Sequence, residues 1–234
     1  HRLRSIVANA APLPQSTKES IGDVWGPGIL HETYGSTEGG IVTNLRPEFQ
    51  LSRLKCVGKP FACTQVSLLD EAGIEVGPGE IGELFSVSPY LFNGYFGQPE
   101  ETAAALKDGW FSAGDLAVKD EDGFVYIVDR KKDMIVSGGV NIYPREIEEV
   151  LFRHRQVAEA AVIAAPDALW GECVAGVIVR RRGGDAEPAA LVAFCKEHLA
   201  AFKVPRQVIY VESLPKNAAG KILKRELRTL VAAG

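Results

Sequence analysis

Apolar and polar residues alternate in short runs through the first half of the chain, with the period of two that marks a half-buried strand. Residues 65–70, 83–87 and 124–128 are predicted strands on this ground, separated by the turn segments Glu71-Ala72-Gly73, Gly77-Pro78-Gly79 and Asp120-Glu121-Asp122-Gly123. From Pro144 the period changes. Pro144 can open a helix at its first position, and Ile147, Val150 and Leu151 then form an i, i+3, i+4 apolar stripe. Beyond it, predicted strands at 159–164, 173–179 and 207–211 alternate with amphipathic helices at 188–202 and 221–231, the first of which stops before Pro205. The pattern predicts an α+β chain, β-rich first and compact α+β afterwards. The join falls in the charged run Asp129-Arg130-Lys131-Lys132-Asp133, which divides the chain into domains 1–130 and 131–234.

Composition narrows the function classes. With 234 residues, 46% of them hydrophobic, the chain can bury a sizeable core. Its 26 basic and 30 acidic residues give no field that would attract nucleic acid or an anionic membrane. Cys56, Cys63, Cys173 and Cys195 form no CxxC pair and sit in apolar stretches, so they read as reduced, buried thiols of a cytoplasmic protein. No apolar run approaches the roughly 18 residues of a membrane span. The start at His1, without Met, is expected of a fragment or processed product.

Two motifs mislead. Gly77-Pro78-Gly79-Glu80-Ile81-Gly82 fits G-x-G-x-x-G, but that fingerprint needs a helix after it and here a strand follows, so a β-turn is the better reading. His31-Glu32 opens like H-E-x-x-H, yet Gly35 stands where the second histidine would be, and zinc chemistry is not supported.

Three other segments can carry chemistry. Tyr34-Gly35-Ser36-Thr37-Glu38-Gly39-Gly40 combines an aromatic, two hydroxyls, a carboxylate and three glycines: a ring for a purine, donors for phosphate oxygens and a carboxylate for Mg2+. A tight surface turn explains that loop equally well by itself. Trp110-Phe111-Ser112-Ala113-Gly114-Asp115-Leu116 places an acid after a small-residue turn, where a turn cap is the ordinary role, and Arg130 alone would be a solvated surface arginine; together Asp115 and Arg130 could bind a ribose diol. Pro215-Lys216-Asn217-Ala218-Ala219-Gly220-Lys221 sets two lysines around a turn, and a cation at the start of the predicted helix 221–231 opposes the helix dipole unless it meets an anion.

In this order YGSTE, GELFSVSPYLFNGY, FSAGDL, DRKKDMIVSGGVNIYPREIE and PKNAAGKILKREL resemble the later signature motifs of the adenylate-forming superfamily, which includes acyl-CoA and aryl-CoA synthetases, luciferases and peptide-synthetase adenylation domains. The resemblance covers essentially the whole chain. It implies the β-rich end of a large N-terminal domain followed by a small mobile α+β domain with a mixed sheet and flanking helices. It also implies that Tyr34, within Tyr34-Gly35-Ser36, stacks on adenine, that Thr37 touches the α-phosphate, that Glu38 binds Mg2+, and that Asp115 and Arg130 hold the ribose of ATP or AMP. Lys221 would be the catalytic lysine, Lys132 the hinge, and Ser137-Gly138-Gly139 the loop lining the pantetheine path of coenzyme A.

The implied reaction converts a carboxylic acid and ATP to acyl-AMP and pyrophosphate, after which the CoA sulfur displaces AMP. The segment 137–144, SGGVNIYP, looks more like free-standing CoA ligases than peptide-synthetase modules. The alternatives are a ligase that loads a carrier protein, and a non-catalytic nucleotide-binding or interaction module. No Ser/Thr/Gly-rich phosphate loop ending in Lys occurs, so the expectation is a truncated chain, inactive alone, lacking an N-terminal part that Ala10-Ala11-Pro12 would follow. An interface exposed by that loss would favour self-association.

Overall fold

The computed structural model describes residues 2–11, 13–184, 187–218 and 220–232. Pro12 of the Ala10-Ala11-Pro12 segment and Ala219 of the lysine turn lie outside the described residues. The chain folds as mixed α+β, in two compact units, His1–Val128 and Asp129–Gly234.

The first unit is built on one long sheet. Its strands are β1 (Ile6–Ala8), β2 (Leu30–Ser36), β3 (Gly40–Leu45), β4 (Cys56–Pro60), β5 (Gln65–Leu69), β6 (Ile81–Val87), β7 (Leu106–Lys107), β8 (Trp110–Lys119) and β9 (Val125–Arg130), the last running across the boundary between the units. The order is β1-β2-β3-β4-β9-β8-β6-β5, with β7 paired to β8. Alternation explains the burial: in β6, Gly82, Leu84 and Ser86 point inward while Ile81 is exposed. Leu84 joins Val42, Leu68, Ala117 and Val125 in the unit's main core.

The sequence pattern missed two helices here, α1 (Gln15–Trp25) and α2 (Pro99–Ala105). The first is weakly amphipathic and is held by tertiary contacts. It bridges the parallel pair β1 and β2, and Lys18, nearly buried, forms an ion pair with Glu32 of β2. The second is short and marked only by Pro99 at its start.

The second unit contains β10 (Ile135–Ser137), β11 (Val140–Ile142), α3 (Pro144–Arg153), β12 (Val157–Asp167), β13 (Gly171–Arg180), α4 (Pro188–His198), β14 (Gln207–Tyr210) and α5 (Lys224–Ala232). The long hairpin β12–β13 is its spine, and β13 also pairs with β10 at Gly171 and, in parallel, with β14 along Ala175–Ile178. Both faces are covered. Ile147, Leu151, Leu191 and Cys195 of α3 and α4 pack with Ala160, Val162, Val174 and Ile178, while Leu227 of α5 packs with Ala161, Ile163, Ala175 and Val177 on the other side. Burial on both faces is why β12 reads as a nearly continuous apolar run.

Two helix boundaries are corrected. The helix expected over 188–202 ends at His198, because Leu199 is extended and packs against the core, and Ala201–Lys203 is a separate 3-10 turn. The helix expected from residue 221 begins at Lys224. Residues before it are held by a Lys216–Ile222 bridge and a Leu223 N–H to Pro215 C=O bond of 2.8 Å, which take up the backbone groups a first helical turn would need.

Candidate functional site

In the first unit the glycine-rich segment is half strand and half turn. Tyr34, Gly35 and Ser36 end β2, Thr37-Glu38-Gly39 form the turn, and Gly40 begins β3. A register shift follows Tyr34, and a Cβ on Gly35 would collide with the Gly40 carbonyl, so only glycine lets the two strands close at this point. Ser36 Oγ accepts the Gly39 N–H at 2.9 Å and braces the turn, while Thr37 is exposed at its tip.

Asp115 is not in a turn, as its small-residue neighbours suggested. It lies inside β8, just beyond a bulge where Gly114 takes φ +75 and the register against β6 shifts. The bulge is supported from within: Ser112 Oγ accepts the Gly114 N–H at 3.0 Å and donates to Glu83 Oε1 at 2.7 Å. Asp115 is consequently buried, 5% exposed, and accepts a 2.6 Å hydrogen bond from the Tyr34 hydroxyl. Residues 81 positions apart are thus joined, and the phenol meets part of the hydrogen-bonding demand of the buried acid.

Sequence reading missed Tyr95. Its hydroxyl donates to Glu38 Oε1 at 2.9 Å, and the Glu38 carboxylate holds the phenol proton more tightly than usual. The Phe92 N–H donates to the Glu38 backbone carbonyl at 2.8 Å, and the Phe92 and Tyr95 rings meet edge-on, so the loop before α2 clips the Thr37–Glu38 turn from outside. The signal that could have found it is the aromatic pair in YLFNGY, a segment otherwise quoted only as a family motif. Among the described residues no group of three or more His, Cys, Asp or Glu could hold a metal, and only Tyr95 engages the Glu38 carboxylate, through one oxygen. A single carboxylate of this kind fits Mg2+, which keeps waters and takes its other ligands from phosphates.

In the second unit Ser137-Gly138-Gly139-Val140 is a two-residue hairpin turn. Ser137 pairs with Val140, and Gly138 and Gly139 take φ +57 and +81, the left-handed values that such tight turns demand. A Cβ on Gly138 would run into the Trp170 ring, whereas one on Gly139 meets open space. Beside the hairpin lies an open groove of about 340 Å3, lined by Trp170, Val192, Phe202 and Pro205, with Lys196 and Arg206 among its polar residues.

The two lysines around Asn217 differ. Lys216 is paired with Glu159 at 2.5 Å, while Lys221 is exposed in a turn closed by its own N–H to Asn217 Oδ1 and its C=O from the Asn217 N–H, both 2.9 Å. The helix-dipole argument made for Lys221 therefore falls instead on Lys224, whose charge is offset by Glu148 at 2.7 Å. Arg130 ends β9, and Lys132 is central in the 3-10 turn Lys131–Asp133.

Comparison with known proteins gives this arrangement its class. The AMP-binding enzyme family matches residues 1–96, and the AMP-binding enzyme C-terminal domain matches residues 146–221. The chain belongs to this family of adenylate-forming enzymes. It is 39% identical over 229 residues to a 2-succinylbenzoate–CoA ligase of Geobacillus kaustophilus, covering 97% of the chain and 46% of the relative. It is 40% identical over 226 residues to a long-chain-fatty-acid–CoA ligase of Bacillus subtilis, covering 96% of the chain and 40% of the relative. Among solved structures, the o-succinylbenzoate CoA synthetase of Bacillus subtilis, in complex with its acyl-adenylate intermediate, superimposes with a TM-score of 0.86 at 34% identity, over 96% of this chain and 46% of that one. The chain spans less than half the length of these relatives.

Proposed function

We propose that these residues form the nucleotide-gripping and lysine-bearing part of an AMP-forming acyl-CoA ligase, an acid–thiol ligase using ATP, Mg2+ and coenzyme A. The observation that carries the reading is the 2.6 Å bond between Tyr34 and Asp115. It fixes an aromatic face and a buried acceptor side by side, the pair needed to stack a purine and accept from a ribose hydroxyl. Thr37 and Glu38, on the turn that follows Tyr34, then stand on the phosphate side, and Mg2+ bound at Glu38 would neutralise phosphate charge. Arg130 would donate to the ribose.

In the first half-reaction the substrate carboxylate attacks the α-phosphorus, forming the mixed anhydride and expelling pyrophosphate. Lys221 bridges the carboxylate oxygen and an α-phosphate oxygen, offsetting charge that grows in the transition state without moving a proton. In the second half-reaction the CoA sulfur attacks the acyl carbon and AMP leaves. The Gly138-Gly139 hairpin and its groove suit this step: an apolar wall for a thiol arm, and cations in the groove for a phosphorylated tail. Lys132 is the pivot that exchanges the two arrangements. The named relatives act on an aromatic and on a fatty acid, so the acid itself is left open. Reduced thiols suit a cytoplasmic setting.

The test has two arms. Calorimetry on the 234-residue chain should detect AMP, and Asp115→Ala should abolish that heat. A full-length ligase carrying these residues should release AMP from ATP only when both a carboxylic acid and CoA are supplied, and the chain alone should release almost none, since it provides too little to hold the reactants in line. AMP release that ignores CoA but answers to a phosphopantetheinylated carrier protein would move the acceptor to that protein. No nucleotide binding in either arm would overturn the reading.

A further inference from the structure

The helix α3 lacks a cap of its own. Its N-cap residue is Tyr143, which makes no capping side-chain bond, and Pro144 at the first position has no N–H to satisfy. The first backbone donor of the helix, the Arg145 N–H at its second position, is met from sixteen residues upstream by Asp129 Oδ2 at 2.8 Å. The other oxygen of the same carboxylate, Oδ1, accepts the Arg130 N–H at 2.7 Å. Asp129 is 8% exposed, so both bonds lie where water competes weakly.

These contacts straddle Lys132. Upstream of it, Asp129 ties the end of β9 to α3, and the Arg130 and Lys131 carbonyls accept the Met134 N–H at 3.2 and 3.3 Å. Downstream, Arg228 of α5 donates to the Lys132 carbonyl at 3.2 Å and to Asp133 Oδ1 at 2.9 Å. The Lys132 carbonyl belongs to the peptide plane that follows the φ and ψ bonds of Lys132. Arg228 therefore travels with everything after the pivot and leaves both bonds able to turn, whereas the Asp129 bond must break when they turn far.

We infer that Asp129 is a positioning residue that latches the pivot: while its carboxylate caps α3, Lys132 cannot rotate far and Arg130 is held in one direction. The latch rests on the reading of Lys132 as the hinge. Its chemistry also explains the choice of side chain, since a carboxylate stabilises a helix N-terminus electrostatically as well as by hydrogen bonding, and α3 pays for each opening by losing its cap.

The experiment uses the full 234-residue chain, spin-labelled at exposed Cys63 and at a cysteine introduced as Glu197→Cys, the other three cysteines being buried. Pulsed electron-resonance distances should broaden from the parent chain to Asp129→Ala and keep the parent width in Arg228→Ala. Asp129→Asn, which keeps one acceptor, should fall between. Amide exchange at Arg145 should quicken roughly tenfold in Asp129→Ala, the scale of a lost helix cap. Faster exchange with an unchanged distance distribution would show that Asp129 is only a cap, and the latch would be overturned. Adding Lys132→Pro to Asp129→Ala separates the two readings, because proline fixes φ. Narrowing supports the pivot at Lys132; a distribution that stays broad overturns Lys132 as the hinge and, with it, the latch.

Discussion

Replacing Gly138 by alanine should destabilise the second unit much more than the same change one residue later. Both glycines sit at positive φ, +57 and +81, so any L-residue there meets a left-handed penalty of about 1–2 kcal/mol. Only at Gly138 does the new Cβ also strike the Trp170 ring, and the Gly138 N–H is tied to the Trp170 carbonyl at 2.9 Å, so backbone retreat is blocked. Trp170 is 43% exposed and can swing outward, which keeps the overpacking term near the low end of about 1–3 kcal/mol. The sum for Gly138→Ala is about 2–4 kcal/mol, against about 1–2 for Gly139→Ala. In a domain of about 100 residues that difference separates the melting temperatures by roughly 5–15 °C. Differential scanning calorimetry of the chain reads this directly. Equal melting temperatures for the two variants, or Gly139→Ala the less stable, would refute the reasoning. The contrast also isolates function. Gly139→Asn should be nearly neutral for folding, because asparagine accepts the left-handed turn, while placing a side chain where the thiol arm of CoA is proposed to pass. In a full-length ligase it should slow thioester formation and spare adenylation.

Lys221→Ala should lower acid-dependent pyrophosphate exchange in a full-length ligase by ~100-fold or more, yet leave thioester formation from preformed acyl-AMP intact; a similar loss in both steps would remove the assignment. Tyr95→Phe should raise the Mg2+ concentration needed for half-maximal adenylation roughly tenfold, since one charge-assisted bond to Glu38 is lost, and an unchanged Mg2+ dependence would show the contact to be incidental. A thiol reagent at neutral pH should modify Cys63 quickly and reach buried Cys56, Cys173 and Cys195 only on unfolding. Burial pushes the Cys195 thiol up to about 11 from an ordinary 9.0. The stability tied to its neutral form is therefore complete below pH 9 and lost as pH rises through 11, and melting curves of Cys195→Ala should lack that part of the alkaline decline.

Reading the sequence was most successful where one local rule decided the outcome. The strands of the β12–β13 hairpin and the opening of α3 follow from apolar runs and from Pro144. The glycine pair at 138–139 is legible as a turn once its neighbours are strands, since two consecutive left-handed residues admit little else. It failed where a segment's conformation depends on partners far along the chain. Lys18 of α1 finds Glu32, and the acid in FSAGDL, which by itself reads as a turn cap, is the buried partner of a tyrosine on another strand.

The residue types of the site were therefore written in the chain: an aromatic, hydroxyls and a carboxylate around glycines, two lysines around a turn, a charged run between two patterned halves. Which of these meet was decided by the tertiary structure. The β8 bulge turns Asp115 toward Tyr34, the loop before α2 brings Tyr95 to Glu38, and Lys216 meets Glu159 of β12. The physical reason is range. Periodicity, turns and caps are settled within a few residues by backbone sterics, whereas a hydrogen bond between side chains 57 or 81 positions apart depends on a register that only the assembled sheet fixes.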